Sequence, residues 1–399
     1  MQRLSVLGSA RIWLICAICF TLPMKASFVY TLSALLLAVW LAEGRLLGKA
    51  REILASPLCL AFAGYCLIVT LSILWTDDTA EGWRMARRHI PLLLFLLYWS
   101  SADRRYRERY ISAFLAGLAV CALLAYYNWA QHFWFPDWPR GIRVFKAVDD
   151  TAPFVDRIMY APLLALGAYF SLRRAVLPGA ALARLGWLAL AGLLVANLFM
   201  SGGRAGVVML ATLCIALAFE RIRARAKAVV LCLALLPALF LAAYSTSDYF
   251  ATRVNAGLND FQSFRDNPST SVGLRIVYGV TSLRMFLSHP LVGVGGGDFE
   301  EEYARNTPEL WQELAVPFNP HNQFLMTAST TGLLGLAVLF TIAGLAVRSR
   351  KDARTLSVLA GFAVVCLFES YLWRSNTALA FSVLIAVLSL GSGEERGAG

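Results

Sequence analysis

The sequence predicts an all-α polytopic membrane protein with about twelve transmembrane helices. Only 15% of its 399 residues are charged, whereas 58% are hydrophobic. Soluble domains carry about 25% charged residues, so this composition excludes an ordinary soluble enzyme. The apolar residues are also grouped into twelve runs, many of them near the length that crosses a hydrocarbon core. A single transmembrane domain over residues 1–399 is therefore expected.

Each of the twelve apolar runs is expected to form one membrane span. The first could be mistaken for the core of a secretory signal, but no small-residue cleavage site follows it and further spans come at once. The runs are Ile12–Met24, Ala26–Ala42, Ala55–Thr76, Ile90–Ala102, Tyr110–Pro136, Ile158–Leu172, Leu185–Gly203, Ala205–Phe219, Ala228–Ser247, Asn322–Val347, Thr355–Trp373 and Ser375–Gly393.

The charged segments between the runs indicate which side of the membrane each loop faces. With twelve spans, both termini and the even-numbered loops share one side, which holds 21 of the 36 Lys and Arg residues and 8 of the 25 acidic residues. Cytoplasmic loops are enriched in Lys and Arg, so this side is predicted to be cytoplasmic. The net charge of +11 then reflects topology and contact with anionic lipids, and nucleic-acid binding is not expected.

Two long polar segments fall on the opposite, periplasmic side. The smaller covers residues 133–157, and the larger covers residues 247–320 between the ninth and tenth spans. Long loops without secondary structure are uncommon and are usually functional. The larger loop is therefore the first place to look for a site.

The larger loop is predicted to contain helices. Thr270 can cap a helix over Ser271–His289, which must stop at Pro290. A second short helix is expected over Asp298–Arg305. The glycines of Gly293–Gly297 resemble part of a nucleotide fingerprint, but no βαβ unit surrounds them, so they are predicted to form a turn that redirects the chain.

Three arginines on the periplasmic side are candidates for binding phosphate groups. Arg204 lies in the glycine-rich turn Ser201–Gly206 between two spans, where glycines let the backbone approach a ligand closely. Arg275 lies on the more polar face of the predicted helix, and Arg284 follows further along it. Arginine can hold phosphate oxygens through two parallel hydrogen bonds. The alternative for these arginines is an anchor at the membrane boundary or a salt bridge within the loop.

Candidate proton carriers and metal ligands are few. His321 lies where the large loop meets the run Asn322–Val347, although a histidine at such a boundary is usually structural. The adjacent carboxylates of the outer face are Asp77–Asp78 and Asp149–Asp150. Neighbouring side chains point apart in regular structure, so a shared metal ion is not favoured. Neither a metal nor a cofactor is expected.

The order of these motifs resembles one protein family. His321-Asn322, nine further residues and then Gly332-Leu333-Leu334-Gly335 are similar to the His-Asn/Ser/Gln, nine-residue spacer and Gly-x-x-Gly motif of the O-antigen ligases. These belong to the O-antigen ligase and polymerase superfamily of bacterial inner-membrane glycosyltransferases. Ser271-x-x-x-Arg275 with the later "HPLVGVGGGDF" resembles the segment before that motif, and "SGGRAG" resembles its earlier Arg-bearing turn. The span number and the large loop match the family over nearly the whole chain.

The resemblance implies a transfer of O-antigen glycan from undecaprenyl diphosphate to a sugar hydroxyl of lipid A–core, on the periplasmic face of the inner membrane. Negative charge grows on the diphosphate as the glycosidic bond breaks. Arg204 and Arg275 would stabilise it without a metal ion, with Asn322 and Arg284 as further candidates. His321 would take the acceptor's proton or, if protonated, hold the diphosphate. In-line attack would invert the anomeric centre.

Other functions stay open at this point. The O-antigen polymerase of the same superfamily uses lipid-linked glycan as both donor and acceptor. A protein O-oligosaccharyltransferase comes third, and a transporter of lipid-linked sugars is the alternative from another class. Glu369 is expected inside the span Thr355–Trp373, where a carboxylate is costly unless it is paired or functional, and Arg374 is its expected partner.

Overall fold

The computed structural model describes residues 2–139, 141, 151–222, 224–246, 248–348 and 352–390 of the chain. Within these ranges the protein contains seventeen α-helices and no β-strand, which confirms the all-α class. Residues 142–150 lie outside the described ranges, and with them the carboxylate pair Asp149–Asp150.

The helices are numbered here in chain order. Before the smaller loop come α1 (Gln2–Thr21), α2 (Ala26–Ala42), α3 (Leu46–Ala55), α4 (Pro57–Leu71), α5 (Thr79–Arg88), α6 (Ile90–Ser101) and α7 (Arg107–Phe133). After it come α8 (Arg157–Ala175), α9 (Ala181–Ser201), α10 (Arg204–Arg221), α11 (Arg225–Thr246), α12 (Asp248–Gln262), α13 (Ser271–Ser288), α14 (Phe299–Asn306), α15 (Gln323–Arg348), α16 (Ala353–Val365) and α17 (Ser375–Ser389).

Each of the twelve apolar runs overlaps a helix of its own, but the helices differ in length. Among the described residues, α2 and α3 together form a candidate span bent by 116°. The single helical segments long and apolar enough to cross a membrane are Pro57–Trp75, Arg104–Phe133, Ala181–Ser201 and Gln323–Arg348. The chain is thus a helical membrane protein, and the count of twelve spans stays a prediction.

α17 lies at the centre of the helical body. Its residues from Asn376 to Ser389 are all buried, and it packs against α2, α6, α7, α8 and α16. Phe381 of α17 contacts Phe62 of α4 and Phe362 of α16. A helix that is apolar on all sides must be covered on all sides, and here other helices cover it.

α15 is interrupted at Gly332, whose φ of 64° and ψ of −157° belong to a region that only glycine visits readily. The break frees backbone groups that bond the chain following α13. The N–H of Leu333 donates to the carbonyl of Pro290 at 2.8 Å, and the N–H of Val294 donates to that of Ser329 at 2.8 Å. The Gly-x-x-Gly half of the motif therefore docks the segment between α13 and α14 onto α15.

The helices of the large loop agree with the sequence where capping signals exist. α13 begins after Thr270, whose hydroxyl accepts from the N–H of Gly273 at 3.1 Å, and it ends one residue earlier than predicted. α14 lies where the second short helix was expected. α12 was not predicted, because it carries no clear cap between Asp248 and Gln262.

The apolar run Thr355–Trp373 is not one continuous helix, so the prediction that Glu369 lies inside a helical span is wrong. α16 ends at Val365, and residues 366–374 form a turn-rich segment that we call the α16–α17 connector. Gln323, the first residue of α15, hydrogen-bonds the backbone of this segment at two points. Its N–H donates to the carbonyl of Cys366 at 2.8 Å, and its side-chain oxygen accepts from the N–H of Leu372 at 2.9 Å.

The start of α10 and the α16–α17 connector lie at the same end of the body. Gly361 of α16 lies against Met209 and Leu213 of α10. Arg354, at the start of α16, pairs with Glu108, which also pairs with Arg174 at the end of α8. The adjacent Arg173 pairs with Glu220 at the end of α10, so α10 and α16 are antiparallel and Arg204 lies at the level of the connector. The start of α15 joins them there through Gln323, and we call this the site end.

Candidate functional site

His321 lies immediately before α15 in an unusual backbone conformation. Its φ of 51° is in the left-handed region, which is uncommon for a residue with a side chain. Asn319 Oδ1 accepts from the His321 N–H at 2.8 Å and supports this turn. Asn322 then caps α15, because its Oδ1 accepts from the N–H groups of Phe324 and Leu325 at 2.9 and 3.1 Å. The ring is thus presented from a fixed position.

Glu369 is the partner of the His321 ring. Its Oε2 lies 2.8 Å from His321 Nδ1 and 3.2 Å from Arg374 Nη2, and its side chain is only 4% exposed. The ion pair with Arg374 confirms the sequence prediction. A carboxylate accepts hydrogen bonds, so Nδ1 donates and Nε2 keeps its lone pair. Among the described residues, no hydrogen-bond partner reaches Nε2.

The charge state of Glu369 follows from its surroundings. Burial alone raises its pKa, but the hydrogen bond from His321 and the charge of Arg374 outweigh burial and lower the pKa to about 2. The carboxylate is therefore ionised at any pH near neutrality. A fixed negative charge behind an imidazole orients the ring and stabilises the imidazolium that forms when Nε2 takes a proton. An imidazole held in this way has the chemistry that a general base requires.

Aromatic rings enclose His321 on two sides. Tyr278 of α13 stacks on it with ring centres 5.9 Å apart, and Phe318 approaches its edge at 6.1 Å. Phe318 in turn stacks on Trp373 of the α16–α17 connector at 5.6 Å. The guanidinium of Arg88, from α5, lies 3.7 Å above the Trp373 ring. His321 therefore lies between α13 on one side and the connector with α5 on the other.

The structure brings Arg275 close to His321 and places Arg284 elsewhere. Arg275 is exposed on α13, one turn before the Tyr278 that stacks on His321. It has no ion-pair or hydrogen-bond partner among the described residues. Arg284 is also exposed, but nine residues separate it from Arg275, which is two and a half turns. The two side chains project from opposite sides of α13.

Arg204 is the first residue of α10, at the site end. Gly202, with φ of 66°, ends α9 in the left-handed conformation. Gly203 and Gly206 lie directly against Ala161 of α8, where an added Cβ would be 2.2 and 2.6 Å from its Cβ. The glycines of this turn therefore let α8 and α10 approach, which in turn fixes the place of Arg204.

Asn322 has less freedom than the sequence indicated. Its Oδ1 caps α15, and its Nδ2 donates to the carbonyl of Leu367 at 3.2 Å. Two other polar groups nearby, Asn319 Nδ2 and Arg374 Nε, are buried and have no acceptor among the described residues.

Of the carboxylates considered as metal ligands, Asp77 and Asp78 lie in the described part of the chain. Asp78 caps α5, since its Oδ1 accepts from the N–H of Glu81 at 2.8 Å. The N–H groups of Asp77 and Asp78 donate to the carboxylate of Asp298 at 2.9 Å. Across the described part of the chain, no three His, Cys, Asp or Glu side chains are grouped for a metal ion. Metal independence stays a prediction.

Residues 188–340 match a protein-family model described as O-antigen ligase. The matched region runs from α9 into α15 and contains the three candidate arginines as well as His321 and Asn322. Glu369, Trp373 and Arg88 lie outside it. No curated protein matches the chain.

Proposed function

Because the match identifies the chain as a member of the O-antigen ligase and polymerase superfamily, we propose that it transfers O-antigen glycan from undecaprenyl diphosphate to a sugar hydroxyl of lipid A–core. The observation that carries this proposal is the His321–Glu369 pair. Its carboxylate holds Nδ1 at 2.8 Å and leaves Nε2 to receive a proton.

In the proposed reaction, each residue of the site has one role. His321 Nε2 takes the proton from the acceptor hydroxyl while that oxygen attacks the anomeric carbon of the donor. The bond from this carbon to the diphosphate breaks, and the diphosphate leaves with the bonding electrons. Attack opposite the leaving group inverts the anomeric centre. Glu369 does not touch the sugars; it positions His321 and stabilises its imidazolium form.

Arg275 and Arg204 are assigned to the diphosphate. Arg275 lies one turn from the tyrosine on His321 and has no competing carboxylate among the described residues, so its guanidinium is available to phosphate oxygens. Arg204 approaches the same end from α10. Both would stabilise charge that develops as the bond breaks, which is where preorganised donors contribute most. No metal ion and no nucleotide sugar take part in this scheme.

The topology proposed for this reaction follows the charge distribution. Both termini face the cytoplasm, twelve spans cross the inner membrane, and the loops at residues 133–157 and 247–320 face the periplasm together with the site end. Cysteine labelling in intact cells tests it: a reagent confined to the periplasm should modify Ser269→Cys. Modification only after the inner membrane is opened would show that the loop faces the cytoplasm, on the side of the membrane opposite to the proposed substrates.

The experiment that tests the function is reconstitution. Purified protein is incubated with undecaprenyl-diphosphate-linked glycan and lipid A–core, with excess chelator and without ATP. We expect glycan on the core, and none with His321→Ala. A polymerase would instead lengthen the lipid-linked glycan and leave the core unmodified. Activity that disappears with chelator and returns with Mg²⁺ or Mn²⁺ would contradict the metal-independent scheme.

A further inference from the structure

An apolar groove lies between α4, α5 and α6, beside the site end. It encloses about 180 Å³, and Cys66, Thr70, Trp83, Arg87, Ile90 and Leu93 are among the residues that line it. Trp83, Ile90 and Leu93 are exposed, with 56, 41 and 47% of their surface accessible. Narrow apolar grooves of this kind accept alkyl chains, and one basic residue, Arg87, forms part of the wall.

α5 separates this groove from the site. Its Gly82 and Met85 are buried against the body, while its outer surface carries Trp83 and three arginines. Arg84 pairs with Glu81 at 2.7 Å, and Arg87 has no partner among the described residues. A short helix with a basic outer face and an exposed tryptophan is typical of the membrane–water interface.

The arginines of α5 form a continuous path from the groove to His321. Arg87 lines the groove, and the next residue, Arg88, lies 3.7 Å above Trp373. Trp373 stacks on Phe318 at 5.6 Å, and Phe318 contacts His321 at 6.1 Å. Burial lowers the pKa of Arg88, and the nearby charges of Arg84 and Arg374 lower it further, while Glu81 opposes them. Cations outnumber carboxylates along this path, which favours an anion.

We propose that the groove and the arginines of α5 bind the acceptor, a phosphorylated glycolipid. One acyl chain lies in the groove, Arg84 and Arg87 bind a phosphate at the lipid end of the saccharide, and the sugars pass over Arg88 and Trp373 to His321. The proposal rests on the proposed function, which requires a lipid-anchored acceptor.

The position of α5 distinguishes the acceptor from the donor. Arg275, assigned to the leaving diphosphate, is on the Tyr278 side of His321, and α5 is on the Phe318 side. Inverting displacement needs nucleophile and leaving group on opposite sides of the anomeric carbon. We therefore assign the part of the site next to α5 to the acceptor and the part next to Tyr278 to the leaving diphosphate.

Direct binding tests the phosphate contact without relying on transfer. Wild-type protein in nanodiscs of neutral lipid is titrated with lipid A–core and with the same lipid after phosphatase treatment. We expect wild-type protein to bind the phosphorylated form about tenfold more tightly. The double variant R84Q/R87Q should lose this preference. The matched control R104Q/R105Q, two exposed arginines before α7, should keep it.

Two transfer measurements complete the test. R84Q/R87Q should raise the KM for the acceptor about tenfold and leave the KM for the donor unchanged. Ala86 of α5 also lines the groove. Ala86→Leu, which narrows the groove and keeps every charge, should raise the KM for the acylated acceptor but not for the deacylated core saccharide.

Several results would overturn the proposal. If R84Q/R87Q weakened the binding of phosphorylated and dephosphorylated acceptor equally, the proposed phosphate contact would be wrong. A rise in the KM for the donor in this variant would assign α5 to the donor. Phosphatidylglycerol that competes as well as lipid A–core would make the groove a general lipid site.

One further result would separate this proposal from the proposed function. If R84Q/R87Q abolished phosphate-dependent binding but the wild-type protein transferred no glycan, the acceptor site would be supported and only the proposed function would be contradicted.

Discussion

The two ends of α16 use buried charge in different ways. Before its start, Asp352 pairs with Arg107 at 3.2 Å and with Arg354 at 2.6 Å, and Arg354 also meets Glu108. Arg107 further donates to the carbonyls of Val387 and Leu390 at the end of α17. Every charge in this group is matched, and the group ties α7, α16 and α17 together. We call it the paired end.

The site end also combines arginine with a buried carboxylate, but in another arrangement. There Glu369 alone serves both His321 and Arg374, and the neighbouring Arg275 and Arg87 have no carboxylate partner among the described residues. A matched network has no binding capacity left and contributes to stability. An unmatched network leaves positive charge and a free imidazole nitrogen for substrates. The comparison predicts that substitutions at the two ends separate stability from transfer.

The largest effect on transfer is expected for His321→Ala at the site end. Turnover should fall about 10²–10⁴-fold, the usual contribution of a general base, while donor affinity changes little. Steady-state kinetics with donor binding measured separately checks this. The wild-type rate should also rise with pH, because a base acts in its neutral form. Weaker donor binding in the variant and a rate that falls between pH 6 and 8 would make His321 a diphosphate clamp.

Glu369→Gln is expected to have the next largest effect, because it keeps the shape and removes the charge behind the ring. Transfer should fall roughly tenfold or more and the pH profile should shift, which a purely structural residue would not cause. Glu369→Asp should restore part of the activity. An unchanged pH profile would reduce Glu369 to a packing role.

The same variant has a pH signature in stability. The pKa of Glu369 is lowered from 4.5 to about 2 in the folded protein, so its ionised form stabilises the fold fully above pH 4.5. That contribution is lost as pH falls from 4.5 towards 2. The difference in thermal midpoint between wild type and Glu369→Gln should be clear at pH 6 and should shrink as the pH falls below 4.5. A difference that grows on acidification would contradict the assignment.

Arg275→Lys and Arg204→Lys should give smaller but clear losses. Lysine keeps the charge and loses the planar fork, so a bidentate phosphate contact predicts a fall of about tenfold in transfer. Arg→Ala should cost more. Arg284→Lys is the matched control for Arg275, since it lies on the same helix and projects to the other side. Near-normal turnover in both Lys variants would show that charge placement alone is enough.

The smallest effect on transfer is expected for Arg107→Gln at the paired end. Removing one partner of a buried pair costs about 3–5 kcal/mol, so the thermal midpoint should fall clearly. Turnover per folded molecule should stay at the wild-type value. A loss of turnover without a loss of stability would mean that the two ends are coupled, and the comparison would have to be replaced by one network through α16.

The sequence predicted those features that have local signals. Thr270 and Pro290 indicated where α13 starts and ends, because helix caps and prolines act within one turn. The motif spacing singled out His321. The partner of His321 could not be found this way, since 48 residues separate it from Glu369. The apolar run Thr355–Trp373 looked helical throughout, because nothing in its own sequence shows that Gln323 of α15 hydrogen-bonds its backbone. Arg88 was also missed, because its contact with Trp373 joins residues that are far apart in the sequence.

The break of α15 at Gly332 explains why the spacing of nine residues in the motif matters: it fixes a distance along the helix. The residues between Asn322 and Gly332 form a rigid helical rod of about 14 Å, fixed by a cap at one end and by bonds to Pro290 and Leu291 at the other. Adding one residue to this rod would turn its far end by about 100° and move the glycine away from Leu291. The number of residues between His321 and Gly332 thus sets the distance between the imidazole and the chain that follows α13. We expect this spacing to tolerate substitution far better than insertion.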